Sequence, residues 1–262
     1  MQEILNDLKA EQESLDNFLQ NLSENQWDLP TPAEGWSVKD SISHIAHIDE
    51  VAVTLLQGDY SPLAEAAKLQ FGFTELGPQK GKLLPPEKVW QWWREVRGLM
   101  LRELAKCDPK QRIPWFAQPM SARAFATARL METWAHGLDC YDALGEEPED
   151  TDRLRHIAFL AYIARPYAYQ INGLKFLDIP IRLELILPSG KLWTQGEEGA
   201  PNRISGQARE FCRVAVRRRH WRDTSLKIEG EEARRFISIV QTYAGPPGPG
   251  RKPMRKINNA HE

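Results

Sequence analysis

The chain has 262 residues and a formal net charge of −2, enough for one large domain or two of roughly 100–200 residues each. Its 42% hydrophobic and 27% charged residues are those of a globular protein, which excludes collagen-like, disulfide-scaffold and wholly disordered chains. Apolar stretches such as 157–164 are far shorter than the ~20 residues that span a bilayer, the acidic, amphipathic start carries no secretion signal, and Cys107, Cys140 and Cys212 form neither a disulfide framework nor a CxxC site, so a cytoplasmic protein with no membrane partner is expected.

Apolar residues at helical spacing over 2–24, among them Ile4, Leu8, Leu15 and Leu22, predict a first helix. After Pro30-Thr31-Pro32, Ser37 followed three residues later by Asp40 reads as a capping box with Asp in place of Glu; it opens a second helix that runs to about residue 57. The small-residue- and Gly/Pro-rich stretch 58–84 reads as a long crossover with a short helix at 63–70. Pro85 and Pro86 open a third helix with Val89, Trp90, Trp93, Val96 and Met100 in its buried stripe. A fourth runs from near Ser121 to Gly145, a natural terminator. Pro166 should kink or end early the apolar helix over 151–171.

From Ile179 the period changes to two. Ile181, Leu183 and Leu185 alternate with Arg182, Glu184 and Ile186, and Pro188-Ser189-Gly190 reads as a hairpin turn before Lys191-Leu192-Trp193-Thr194. A helix at 206–218, a strand at 225–229 and a helix at 231–244 complete a small α+β unit, and the Pro/Gly-rich, basic end reads as disordered or peripheral. The expected fold is therefore α+β, with a helical bundle over 1–177, a small α+β domain over 178–244 and a tail over 245–262.

The chemistry concentrates on the second and fourth helices. At 100° per residue His44 lies inside the apolar arc of helix two, whereas His47 falls near its edge at about −60°. On helix four, Arg129, Glu132, His136 and Asp139 share one face within about 80°. That face cannot all meet water on a helix apolar elsewhere, and buried unpaired charges cost several kcal/mol each. A salt-bridge network of Arg129, Glu132 and Asp139 would compensate them. So would a divalent metal held by Glu132 and His136, one turn apart, with His44 as third ligand, leaving an open position as catalytic sites do. Asp139 could orient a ligand, and Cys140 is assigned to core packing. Trp36 is expected to staple the start of helix two.

Gly35-Trp36-Ser37-Val38-Lys39-Asp40 followed by His44-Ile45-Ala46, and Met131-Glu132-Thr133-Trp134-Ala135-His136-Gly137 ahead of Asp142-Ala143-Leu144-Gly145, resemble the DinB/YfiT-like metal-binding helical-bundle superfamily. Within it the chain is most similar to the branch of mycothiol-dependent maleylpyruvate isomerase and its uncharacterised metal-binding relatives, a similarity that continues through Arg217-Arg218-Arg219-His220 and 244–251. The resemblance implies a metal triad of His44, Glu132 and His136 and a C-terminal domain of sterol-carrier-protein type. It also implies a divalent ion, zinc above all, that makes a low-molecular-weight thiol such as mycothiol nucleophilic. Nickel and iron suit the same donors. Addition of the thiolate to an activated double bond, rotation and expulsion would give isomerisation; addition alone would give thiol transfer.

A small carboxylated substrate needs a cation. Arg129 is nearest by helical geometry, and the resemblance implies a second arginine from the C-terminal domain, for which Arg218 and Arg219 are the candidates. The arginine run reads otherwise as a solvated helix end, and the slightly acidic chain argues against a nucleic-acid partner. A non-catalytic metal- or ligand-binding module is the alternative function, and both a monomer and a homodimer fit.

Overall fold

One face of α1 (Gln2–Gln20) buries Ile4, Leu5, Leu8, Leu15, Phe18 and Leu19 and leaves the charged positions outside, as the spacing predicts. This computed structural model describes residues 1–116, 118–248 and 250–254. α2 (Val38–Leu56) starts at the expected capping box: Asp40 N–H donates to Ser37 Oγ at 3.2 Å, and Ser37 N–H donates to Asp40 Oδ2 at 2.9 Å. Ser37→Ala removes one acceptor and should cost about 1 kcal/mol, read as a lower urea midpoint with unchanged slope.

Residues 58–84 are not the open crossover that their composition suggests. They form α3 (Ser61–Leu69), a 3₁₀ turn (Gln70–Glu75) and α4 (Leu76–Lys82). Gly77, Pro78 and Gly81, which argue against a helix by propensity, are buried where α4 packs on α2, so tertiary contact overrides the local preference. α5 (Pro86–Ala105) buries Val89, Trp93, Val96, Met100 and Leu104. A two-residue antiparallel pair, β1 (Arg112–Ile113) and β2 (Met120–Ser121), then feeds α6 (Ala122–Leu144). Ser121 Oγ caps the start of α6, and Gly145 ends it in the left-handed conformation at φ 70°. α1, α2, α5 and α6 pack on one another around Leu19, Ile42, Ile45, Val89, Trp93 and Cys140.

The chain divides into two compact units at Pro148/Glu149, ahead of the expected 177/178 boundary. The apolar segment after residue 150 belongs with the second unit. There α7 (Leu154–Ile163) packs on α9 (Ala208–Ala215), and the Cys212 thiol donates to the Leu154 carbonyl at 3.4 Å. α7 stops at Ile163, and α8 (Arg165–Ile171) carries Pro166 in its first turn, the break the proline predicts.

The sheet of this unit contains β3 (Ile181–Ile186), β4 (Leu192–Gln195), β5 (Asn202–Gln207) and β6 (Lys227–Glu229) in the order β4-β3-β5-β6. β3 pairs antiparallel with β4 and parallel with β5, and β5 pairs antiparallel with β6. The alternation in β3 buries Ile181, Leu183 and Leu185 as expected. β5 is a correction to the sequence reading. Its mixed residues carry little β signal, and Gly206, where the sequence predicts a helix start, is a strand residue at φ 141° against Leu226. α10 (Glu231–Ile239) ends the unit. The Pro/Gly-rich end is not loose as far as it is described: Gly245 N–H donates to the Tyr167 hydroxyl at 2.9 Å and Arg217 Nη2 to the Gly248 carbonyl at 2.7 Å. Residues 255–262 of the expected tail lie outside the described residues. Among the described residues no helix is long and apolar enough to cross a membrane.

Candidate metal centre

The second turn of α2 delivers His44, and the middle of α6 delivers Glu132 and His136 one turn apart. One donor atom from each lies within 4.8 Å of the others. His136 Nε2 is 3.4 Å from Glu132 Oε2, and the two imidazole centroids are 4.8 Å apart. The three donors thus converge as the helical facing predicts. His47 does not join them; its Nδ1 lies 3.9 Å from Glu50 Oε2 and its ring lies against Phe73. Cys140 packs in the core of the first unit.

Further groups orient the donors. His44 Nδ1 is 3.2 Å from the Thr74 carbonyl oxygen. A carbonyl only accepts, so Nδ1 carries the proton and Nε2 keeps a lone pair for a cation. His136 Nδ1 is buried without a hydrogen-bond partner, and the buried Asp139 holds Oδ2 3.7 Å from it. Two imidazoles, backed by the Thr74 carbonyl and by Asp139, and a carboxylate form a donor set that suits a divalent ion.

The electrostatics point the same way. Burial lowers the His44 pKa to about 3; the charge on His136 adds to this, while Glu132 and the Thr74 carbonyl oppose it. For Glu132, burial alone raises the pKa, but the hydrogen bond and charge of His136, then Arg129 and His44, outweigh it and hold the carboxyl at about 2. His44 is therefore neutral and Glu132 anionic near neutrality, so a metal has no proton to displace from either.

A pH dependence follows from these values. Between its ordinary value of 6.5 and about 3, His44 binds a proton in the unfolded chain but not in the folded one. Stability of the chelator-treated protein should therefore fall as pH is lowered through this window, by up to about 1.4 kcal/mol per pH unit. Glu132 acts with the same sign between its ordinary 4.5 and about 2. Urea midpoints at pH 7 and pH 5 measure the effect, and His44→Leu should flatten it.

Arg129 is engaged by a carboxylate of the protein itself. Its Nε donates to Asp49 Oδ1 at 2.9 Å, with the two side chains only 3% and 1% exposed. Asp49, from α2, was not a sequence candidate; the available signal was an acid just outside the apolar arc of helix two, at about 140° from His44. Burial pushes the Asp49 carboxyl up, while the Arg129 charge and hydrogen bond and the Trp93 indole oppose that. Trp36 is more than a staple. Its ring lies 4.8 Å from the His44 ring and 5.8 Å from the His136 ring, and its Nε1 donates to Glu75 Oε1 at 3.2 Å. In the second unit Arg218 Nη1 donates to the Val216 carbonyl at 2.9 Å, and the Arg219 side chain is half-buried.

Residues 8–141, which include Trp36 and all three donors, match the family described as the mycothiol maleylpyruvate isomerase N-terminal domain. The chain belongs to this family. Two uncharacterized Mycobacterium tuberculosis proteins, from strains CDC 1551 / Oshkosh and ATCC 25618 / H37Rv, are each 39% identical to it over 248 residues, covering 94% of this chain and 96% of theirs. The crystal structure of the mycothiol-dependent maleylpyruvate isomerase matches at a TM-score of 0.56 with 16% identity, covering 83% of this chain and 89% of the isomerase. A histidine-to-alanine mutant of that isomerase matches at the same TM-score with 15% identity and the same coverage. At this identity the likeness is one of fold.

Proposed function

We propose that this family member is a cytoplasmic, divalent-metal-dependent enzyme that uses a low-molecular-weight thiol of the mycothiol type. Its reaction is isomerisation of, or thiol transfer to, a small electrophilic carboxylate. The observation that carries the reading is the convergence of His44, Glu132 and His136 within 4.8 Å beneath the Trp36 ring. A divalent cation, zinc first, supplies Lewis acidity there and favours thiolate over thiol, the nucleophilic form.

The chain's own residues have separate tasks in this proposal. His44 presents a neutral imidazole, Glu132 supplies the negative charge, His136 offers Nε2 beside Glu132, and Asp139 steadies His136 from behind. Arg129, tied to Asp49, acts on Glu132 by its charge and not on the substrate. The substrate carboxylate falls to Arg218 or Arg219, and the second unit is assigned to the sterol-carrier-protein type on its mixed four-stranded sheet, with α9 between its strands and α10 after them.

Protein purified without an affinity tag should carry about one divalent ion per chain. It should consume an electrophilic carboxylate only with a thiol present, screened in parallel with mycothiol, bacillithiol and glutathione. Metal-loaded protein inert with all three would remove the enzyme reading and leave a metal-binding module. Unchanged turnover in both Arg218→Ala and Arg219→Ala would remove these arginines from the reaction.

A further inference from the structure

α4 lies closer to the histidine-bearing turn of α2 than a side chain permits. A Cβ on Gly77 would sit 2.6 Å from the Ser43 carbonyl oxygen and 2.9 Å from both His44 Cα and His47 Cβ. One on Gly81, a turn later, would sit 2.6 Å from Ser43 Cβ. These are backbone and Cβ positions that cannot swing aside, so the two glycines are what let the helices touch here. Neither is needed for its own helix, because alanine at an interior helical position is favoured over glycine by about 1 kcal/mol.

The residues just before Gly77 use that closeness. The Thr74 carbonyl accepts from His44 Nδ1 at 3.2 Å, and the Glu75 carboxylate accepts from Trp36 Nε1 at 3.2 Å. The first contact selects the tautomer that leaves Nε2 with its lone pair for a cation. The second holds the indole across both imidazoles, 4.8 Å and 5.8 Å away. Both depend on how far the 3₁₀ turn and α4 descend onto α2, and Gly77 is the α4 glycine at which a Cβ would meet His44 Cα.

We propose that residues 74–81 form a clasp that presets the metal centre, with Gly77 as a positioning residue acting through Thr74 on His44 and through Glu75 on Trp36. The inference rests on the metal-binding reading above and adds that affinity is set by a segment holding none of the three donors. Groups that orient ligands from behind are typically worth 10–100-fold in metal affinity, which gives the expected scale of about 10-fold or more.

The test is a competition titration of the full chain with Zn²⁺ against a chelating dye, with Co²⁺ absorption as a second readout of coordination geometry. Gly77→Ala should weaken Zn²⁺ binding by about 10–100-fold and alter the Co²⁺ bands. Gly98→Ala should change neither, since a Cβ there meets only the flexible end of Arg102 at 3.5 Å. Should Gly77→Ala fail to fold, the Glu75 variants decide: Glu75→Ala should weaken binding, and Glu75→Gln, which keeps an acceptor for Trp36, should restore it. Wild-type protein that binds no metal overturns the metal reading and the clasp together. Wild-type protein that binds, with folded Gly77→Ala or Glu75→Ala binding within about twofold of it, overturns the clasp alone.

Discussion

His136→Ala should abolish stoichiometric metal binding and reduce thiol-dependent turnover by on the order of 100-fold or more, because a direct donor is worth at least as much as the orienting groups behind it. His136 contributes more than one nitrogen. Its Nε2 lies 3.4 Å from Glu132, and its ring is stacked beneath Trp36. Alanine removes the donor and also the hydrogen bond that lowers the Glu132 pKa. The measurement is metal content by mass spectrometry of untagged protein after dialysis, with His47→Ala as the comparison. His47 sits one turn from His44 but faces Glu50 and Phe73, so its loss should leave the metal in place. Metal content unchanged in His136→Ala would remove the site as assigned.

Asp49→Ala should destabilise the protein by about 3–5 kcal/mol, since it strands a buried guanidinium. Total stabilities of ~5–15 kcal/mol make that a large share. Arg129 Nη2 is already buried without a hydrogen-bond partner, so the Asp49 contact carries most of the compensation. Removing both charges should cost much less than removing one: Asp49→Leu combined with Arg129→Met should regain most of the loss. A double-mutant cycle by urea unfolding measures the coupling. A cost below about 1 kcal/mol for Asp49→Ala would show that Arg129 has other compensation. The pair also ties α2 to α6, the two helices that carry the donors, so the stability loss should appear together with weaker metal binding.

Much of the fold follows from local chemistry. The capping box at Ser37 and Asp40, the prolines opening α5, the αL glycine after α6 and the break before Pro166 each act within a few residues, and each is found where it was expected. Two elements escaped for one reason. α4 holds glycines and a proline that disfavour a helix in isolation, and β5 holds polar residues and a glycine that disfavour a strand. Both are held by neighbours distant in sequence, α2 for one and β3 for the other.

The candidate site divides along the same line. A helix turns by a constant angle per residue, so the common facing of Glu132 and His136 and the inward facing of His44 are properties of the sequence itself. Who meets them across the helices is not. Arg129 could be assigned to the stripe but not to Asp49, which lies 80 residues earlier in the chain. Trp36 could be assigned to the start of α2 but not to a place over both imidazoles, and nothing local marks Gly77 as the point where α4 touches His44. The sequence determined which donors share a face because helical periodicity is a backbone property. Only the tertiary structure decided their partners, because partnership depends on how closely and at what height α2, α4 and α6 pack.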